Sequence, residues 1–256
     1  MPVSPAVALV LFLAYVLVVN GVQYMSGVPY SAFFASPGNA MRSAVASLAA
    51  GALLLLAFAR WSRWDGLWRD PVRLTMTPLM WVAPGAMVVL FVVRLGLKLS
   101  HGVPLSLLSA CVLAGIGVGL TEELLFRGVV LRSLRTQGRS EAWAMVLSSA
   151  WFGAMHLTNA LLGTPVYAAV LQACLAGIQG MTLYQFRRAS GWLLPGMVVH
   201  GLWDISTFLP AGPGSDVLQV AELGGLILMA VLGLVSGFAV IRRERAGPSA
   251  RAHLSA

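Results

Sequence analysis

The sequence predicts an all-α, polytopic membrane protein of about eight transmembrane helices with both termini in the cytoplasm. Three observations carry that prediction. The 256 residues are 58% hydrophobic and only 10% charged, where a soluble domain carries about a quarter charged residues. The apolar residues gather in stretches near the ~20 residues that cross a bilayer. The basic residues cluster between alternate stretches.

The first stretch, 5–20, has no basic run before it and is expected to be an uncleaved anchor, not a signal peptide. A turn-rich linker, "SGVPYSAFFASPGN" (26–39), leads to a short second stretch, 43–59. Next comes "RWSRWDGLWRD" (60–70), where Trp61, Trp64 and Trp68 interleave with arginines as in an interfacial belt. The third stretch is 78–97 and the fourth 103–127. A short fifth, 142–157, is followed by 165–186, 192–209 and, after the loop "PAGPGSD" (210–216), 217–241. Lipid offers the backbone no hydrogen-bond partner, so each stretch is expected to be an α-helix. Pro84 and Pro195 are expected to kink or start helices. "GIGVG" (115–119) inside the fourth stretch is expected to let helices pack closely. Cys111 and Cys174 lie in apolar stretches and are expected to act as small hydrophobes.

Orientation follows from charge. Fourteen of the 17 Lys and Arg residues fall in four regions: 60–73, 127–139, 187–188 and 242–251. With eight crossings these regions share one side, and the positive-inside rule makes that side cytoplasmic. Arg42, Arg94 and Lys98 are left over. The net charge of +8 is therefore mostly a topology signal. Arginines split among loops do not form a nucleic-acid-binding surface.

Asp65, Asp70, Glu141, Asp216 and Glu244 belong to loops or ends, and Glu222 lies near the start of the last stretch. Glu122, Glu123, His156, His200 and Asp204 remain inside the apolar stretches. Ionisable groups are costly in lipid, so these are candidates for function. Counted from the nearest cytoplasmic charge at ~1.5 Å per residue, Glu122, His156 and His200 lie about 15, 22 and 18 Å deep. Three helices thus bring a carboxylate and two imidazoles to similar depth. Glu123 and Arg127 are at i and i+4, the favoured order for an ion pair. Glu122 points about 100° away and has no partner on its own helix. The spacing predicts that Glu123 and Arg127 position the site and Glu122 reacts; a single structural charge network is the bland reading. Asp204, at i+4 from His200, is expected to orient the imidazole or to bind metal. His101 and His253 lie in an outer loop and the C-terminal tail.

Such a set supports water activation: a carboxylate takes the proton while imidazoles hold a metal or stabilise an oxyanion. The chain has no His-Glu-x-x-His for a helical zinc site. It also lacks the Gly-x-Ser-Gly and Gly-x-Gly-Asp signatures of other intramembrane proteases.

"EELLFRG" (122–128), "FGAMH" (152–156) and "HGLWD" (200–204) occur in that order. Together they resemble the Glu-Glu-x-x-x-Arg, Phe-x-x-x-His and His-x-x-x-Asn/Asp motifs of the CAAX protease and bacteriocin-processing (abortive infection) family. The resemblance covers about 104–209. It implies N-terminal transmembrane helices without a motif (1–103), a catalytic membrane core (104–209), and a last helix with a basic cytoplasmic tail (210–256). It implies an intramembrane endopeptidase of the CAAX prenyl protease kind, with its site open to the cytoplasm. Glu122 would activate water, and His156 and His200 would ligate metal or stabilise the oxyanion. Glu123 and Arg127 would orient the site, Phe152 would line it, and Asp204 would stand where Asn is commoner. The resemblance admits a divalent metal, Zn²⁺, on Glu122, His156, His200 and Asp204. Its partners would be the lipid bilayer and a peptide or protein substrate, lipidated or not, with no nucleic acid. Its location would be the bacterial cytoplasmic membrane. A non-catalytic scaffold or bacteriocin-immunity protein of the same fold is the alternative, and a polar-lined transporter a distant third.

Overall fold

A computed structural model describes residues 1–70, 73–138, 140–211 and 216–246. Arg139, Arg251, His253 and most of the 210–216 loop lie outside the described residues. Every predicted apolar stretch falls on a helix, and no strand occurs among the described residues. We number the helices α1 (Pro5–Met25), α2 (Pro37–Ser62), α3 (Pro78–Ser100), α4 (Leu105–Arg135), α5 (Glu141–Met155), α6 (Val166–Ser190), α7 (Leu193–Phe208) and α8 (Asp216–Ala246). Six of them, all but α5 and α7, are long and apolar enough to cross a membrane. The other two have 15 and 16 residues. A 3₁₀ turn, His156–Leu162, extends α5.

Local chemistry sets the starts. Ser4 and Ser36 cap α1 and α2 with their hydroxyls, and proline follows each at the first helical position, where its missing N–H costs nothing. Pro78 likewise opens α3, and Ser140 caps α5. Pro84 stays inside α3, whereas Pro195 sits in the first turn of α7. Large apolar side chains point outward along the helices, including Leu17, Leu53, Val89, Ile116 and Phe238. Such a surface needs lipid around it.

The basic regions meet at one end of the bundle. Asp70 Oδ2 accepts from Arg135 at 2.9 Å and from Arg188 at 2.8 Å. Glu141 pairs with Arg135 and accepts from the Tyr184 hydroxyl at 2.8 Å. Glu244 of α8 accepts from the Glu141 and Ala142 amides at the start of α5. Trp64 Nε1 donates to the Met1 carbonyl. The grouping read from arginine spacing is therefore present, but whereas Arg63, Arg69 and Arg73 lie in the loop between α2 and α3, several of its members lie within helices. Arg132 and Arg135 end α4, and Arg187 and Arg188 end α6, the latter two buried. They extend the helices beyond their expected ends because Asp70, Glu141 and the Gly66 and Leu67 carbonyls receive them. Burial works against the Asp70 carboxylate. Arg135 and Arg188 outweigh it and hold its pKa below the usual carboxylate range.

Arg94 and Lys98 have a different place. Both are buried on α3 against α7 and α8. Arg94 lies 4.0 Å over the Trp203 ring, and Lys98 pairs with Glu222 at 2.7 Å.

Candidate active site

Close contact of α4 and α7 builds the site. A Cβ on Gly119 would overlap the Met197 carbonyl, and one on Gly201 would come within 2.6 Å of the Gly115 carbonyl. Glycine at these positions lets the two backbones touch, as the "GIGVG" stretch predicts. From Glu123 to Val130, α4 winds as a π-helix. Such wide turns inside α-helices recur at functional sites. Here the turn begins between the two glutamates.

Glu123 is fully buried, and its Oε1 accepts from Arg127 Nη1 at 2.9 Å. The same oxygen lies 2.9 Å from His200 Nδ1. Arg127 is equally enclosed. Its Nη2 donates to the Gly180 carbonyl at 3.0 Å, and its guanidinium lies 4.4 Å over the Phe152 ring. Phe152 also meets both imidazoles edge-on, at 5.1 Å from His156 and 5.6 Å from His200 between ring centres. Gly196 leaves room for the carboxylate, since a Cβ there would come within 3.2 Å of Glu123 Oε2. A buried charge pair of this kind holds only while both partners and their hydrogen bonds are present.

Glu122 faces the other way, into a cavity of about 440 Å³ that it shares with Phe152, His156, His200 and Asp204. It makes no hydrogen bond among the described residues. Its Oε2 is 3.9 Å from His200 Nε2, and Asp204 Oδ2 is 4.0 Å from that nitrogen on another side. Both distances are too long for a hydrogen bond. The ring N–H of His200 is thus engaged by Glu123, and Asp204 is not its orienting partner. His156 Nδ1 lies 3.0 Å from the Phe152 carbonyl. A carbonyl only accepts, so the hydrogen is on Nδ1 and Nε2 is left for chemistry.

The predicted site residues Glu122, Glu123, Arg127, Phe152, His156, His200 and Asp204 therefore come together. No group of three His, Cys, Asp or Glu side chains among the described residues is placed to hold a metal ion. The expected set of Glu122, His156, His200 and Asp204 lines one cavity but does not converge on one point.

Sequence reasoning followed ionisable groups and missed the neutral ones. Tyr15 and Tyr30, from the half of the chain without a motif, line the cavity with Asn159, Gln172 and Gln179. The Tyr15 hydroxyl is 2.8 Å from Thr121 Oγ1, next to Glu122. Amides inside apolar stretches were the available signal.

Residues 104–206 match the family model described as type II CAAX prenyl endopeptidase Rce1-like. No curated protein matches the chain. No solved structure matches it either.

Proposed function

We propose that this membrane-helical chain, which carries an Rce1-like domain over residues 104–206, is an intramembrane endopeptidase that hydrolyses a peptide bond with water activated by Glu122. One observation carries the reading: a carboxylate that makes no hydrogen bond among the described residues, Glu122, faces a cavity lined also by the imidazoles of His156 and His200, with His200 Nε2 3.9 Å from it. A water between Glu122 and the substrate carbonyl gives its proton to Glu122 as its oxygen bonds to the carbonyl carbon. The carbonyl oxygen becomes an oxyanion. His156 and His200 present Nε2 to it and stabilise it when that nitrogen carries a proton. The C–N bond then breaks, and Glu122 returns its proton to the leaving nitrogen. Glu123, pinned by Arg127, holds His200 by Nδ1 and so sets which nitrogen faces the substrate.

The substrate is a peptide or protein at the bilayer, and the CAAX description of the domain makes a prenylated C-terminal tail the first class to try. The arginine regions gather at the end of the bundle that the positive-inside rule makes cytoplasmic, whereas Gln23, Tyr30, Asn159, Tyr167 and Phe208 line the cavity from the opposite half, so the expected opening toward the arginine side is not part of this reading. The test is cleavage of a peptide library, with and without a farnesylated Cys-aliphatic-aliphatic-X tail, by the purified protein. Cleavage unaffected by a chelator supports the route through Glu122. No cleavage of any member removes the endopeptidase reading and leaves the scaffold alternative.

A further inference from the structure

The Glu122 cavity has a second wall that water activation does not use. Asn20 and Gln23 of α1, Tyr30 of the α1–α2 linker, Asn159 of the 3₁₀ turn, and Gln172 and Gln179 of α6 line it. Residues i and i+3 of a 3₁₀ turn eclipse, so Asn159 stands on the same side of its turn as His156. Asn159 Nδ2 donates to Gln172 Oε1 at 2.9 Å, and Gln172 Nε2 donates to the Tyr30 hydroxyl at 3.0 Å. The chain has a direction: the phenol oxygen accepts, which leaves the Tyr30 O–H to donate.

Gln23 Nε2 donates to Ser47 Oγ of α2 at 3.3 Å, but two other amides on the wall, Asn20 and Gln179, have no partner on another helix among the described residues. Asn20 Nδ2 donates to the Val16 carbonyl, but Asn20 Oδ1 is buried without a hydrogen bond. Gln179 makes no hydrogen bond among the described residues. Gln185, six residues further along α6, is different. It is fully buried and, although its Oε1 also lacks a hydrogen bond, its Nε2 donates to Ser236 of α8 at 3.0 Å. That amide ties two helices together; Gln179 and Asn20 tie nothing. Groups left unpaired in a membrane interior are costly unless a ligand satisfies them.

A peptide cut inside a membrane must leave its helix so that the scissile carbonyl can be reached. Every N–H and C=O that it frees then needs a new partner. Side-chain amides supply both donors and acceptors, without a charge that would select particular side chains.

We infer that this neutral wall is a main-chain subsite: it takes an unwound, extended peptide segment and hydrogen-bonds its backbone amides beside Glu122. The inference rests on the endopeptidase reading above. The cavity, about 440 Å³, has room for a short segment only.

The test edits the backbone of the substrate. A fluorogenic library peptide cleaved by the full-length protein is remade with single ester links in place of non-scissile amides, each removing one N–H. With the unaltered protein, at least one ester near the scissile bond lowers kcat/KM about fivefold, the worth of one hydrogen bond. Gln179→Leu or Asn20→Leu lowers kcat/KM for the all-amide peptide by a similar factor at unchanged Tm. In that variant the matching ester costs under about twofold, because the bond is already gone. Two results overturn the subsite alone: esters without effect on the unaltered protein, or an ester penalty undiminished in both variants. Should the variants not fold, the ester series on the unaltered protein decides. No cleavage of any library peptide overturns the endopeptidase reading and the subsite together.

Discussion

His200 presents Nδ1 to Glu123 and leaves Asp204 4.0 Å from its other nitrogen, which separates the expected effects of three acids. Glu123→Gln strips the anion from a fully enclosed Arg127. Breaking such a pair costs about 3–5 kcal/mol, so a marked fall in Tm should accompany the loss of activity. Asp204→Asn should keep Tm and reduce turnover by less than the ~10-fold at which losing an orienting partner begins to show. Thermal melts and turnover measured side by side check both. A stable Glu123→Gln together with an unfolded Asp204→Asn would mean that the buried pair is not what holds this part of the bundle. These roles were only partly legible in the sequence. The i, i+4 spacing located the Glu123–Arg127 pair. It offered Asp204 as the partner of His200 because spacing along one helix is visible and a carboxylate arriving from another helix is not.

Helix packing was readable where it depends on small residues. "GIGVG" pointed to close approach, and Gly119 touches α7 at Met197. Gly119→Ala must push α4 off α7 and draw the glutamates away from His200; overpacking of this kind costs about 1–3 kcal/mol. Gly85→Ala, on α3 with nothing within 4 Å of the added carbon, is the control. It should be neutral or stabilising, because alanine is the better helix former by about 0.5–1 kcal/mol. Equal losses in the two variants would contradict the packing account. The ends of α4 and α6 were not readable. Arg135, Arg187 and Arg188 look like loop charges until Asp70 and Glu141 are seen to receive them. That arrangement gives a pH dependence. The folded-state pKa of Asp70 is held below its unfolded value, so its contribution is present above the unfolded pKa, near 3.9, and is lost as pH falls through the lower folded one. Melts in detergent should fall steeply below about pH 4. Asp70→Asn should lower Tm at neutral pH and flatten that acid limb. An unchanged acid limb in Asp70→Asn would assign it to other carboxylates.

Across the whole molecule, composition and arginine spacing anticipated an all-helical membrane bundle and the end at which its basic regions meet. Motif reading did less for the N-terminal helices, which carry Tyr15, Asn20 and Tyr30 into the cavity by tertiary packing alone. The shared end predicts topology. In a background with Cys111 and Cys174 replaced, a cysteine at 65 should react with an impermeant label only from the cytoplasmic side. One at 101, past the far end of α3, should react only from the outside. Labelling of both from the same side would break the eight-crossing arrangement. The central claim concerns Glu122, and a single comparison tests it most directly: single-turnover cleavage of one library peptide by the unaltered protein and by Glu122→Gln. The variant keeps the shape of the side chain, and it removes no hydrogen bond among the described residues, so Tm should not change. The rate should fall at least ~10²-fold, as for loss of a general base. Cleavage by Glu122→Gln at close to the unaltered rate would contradict the account.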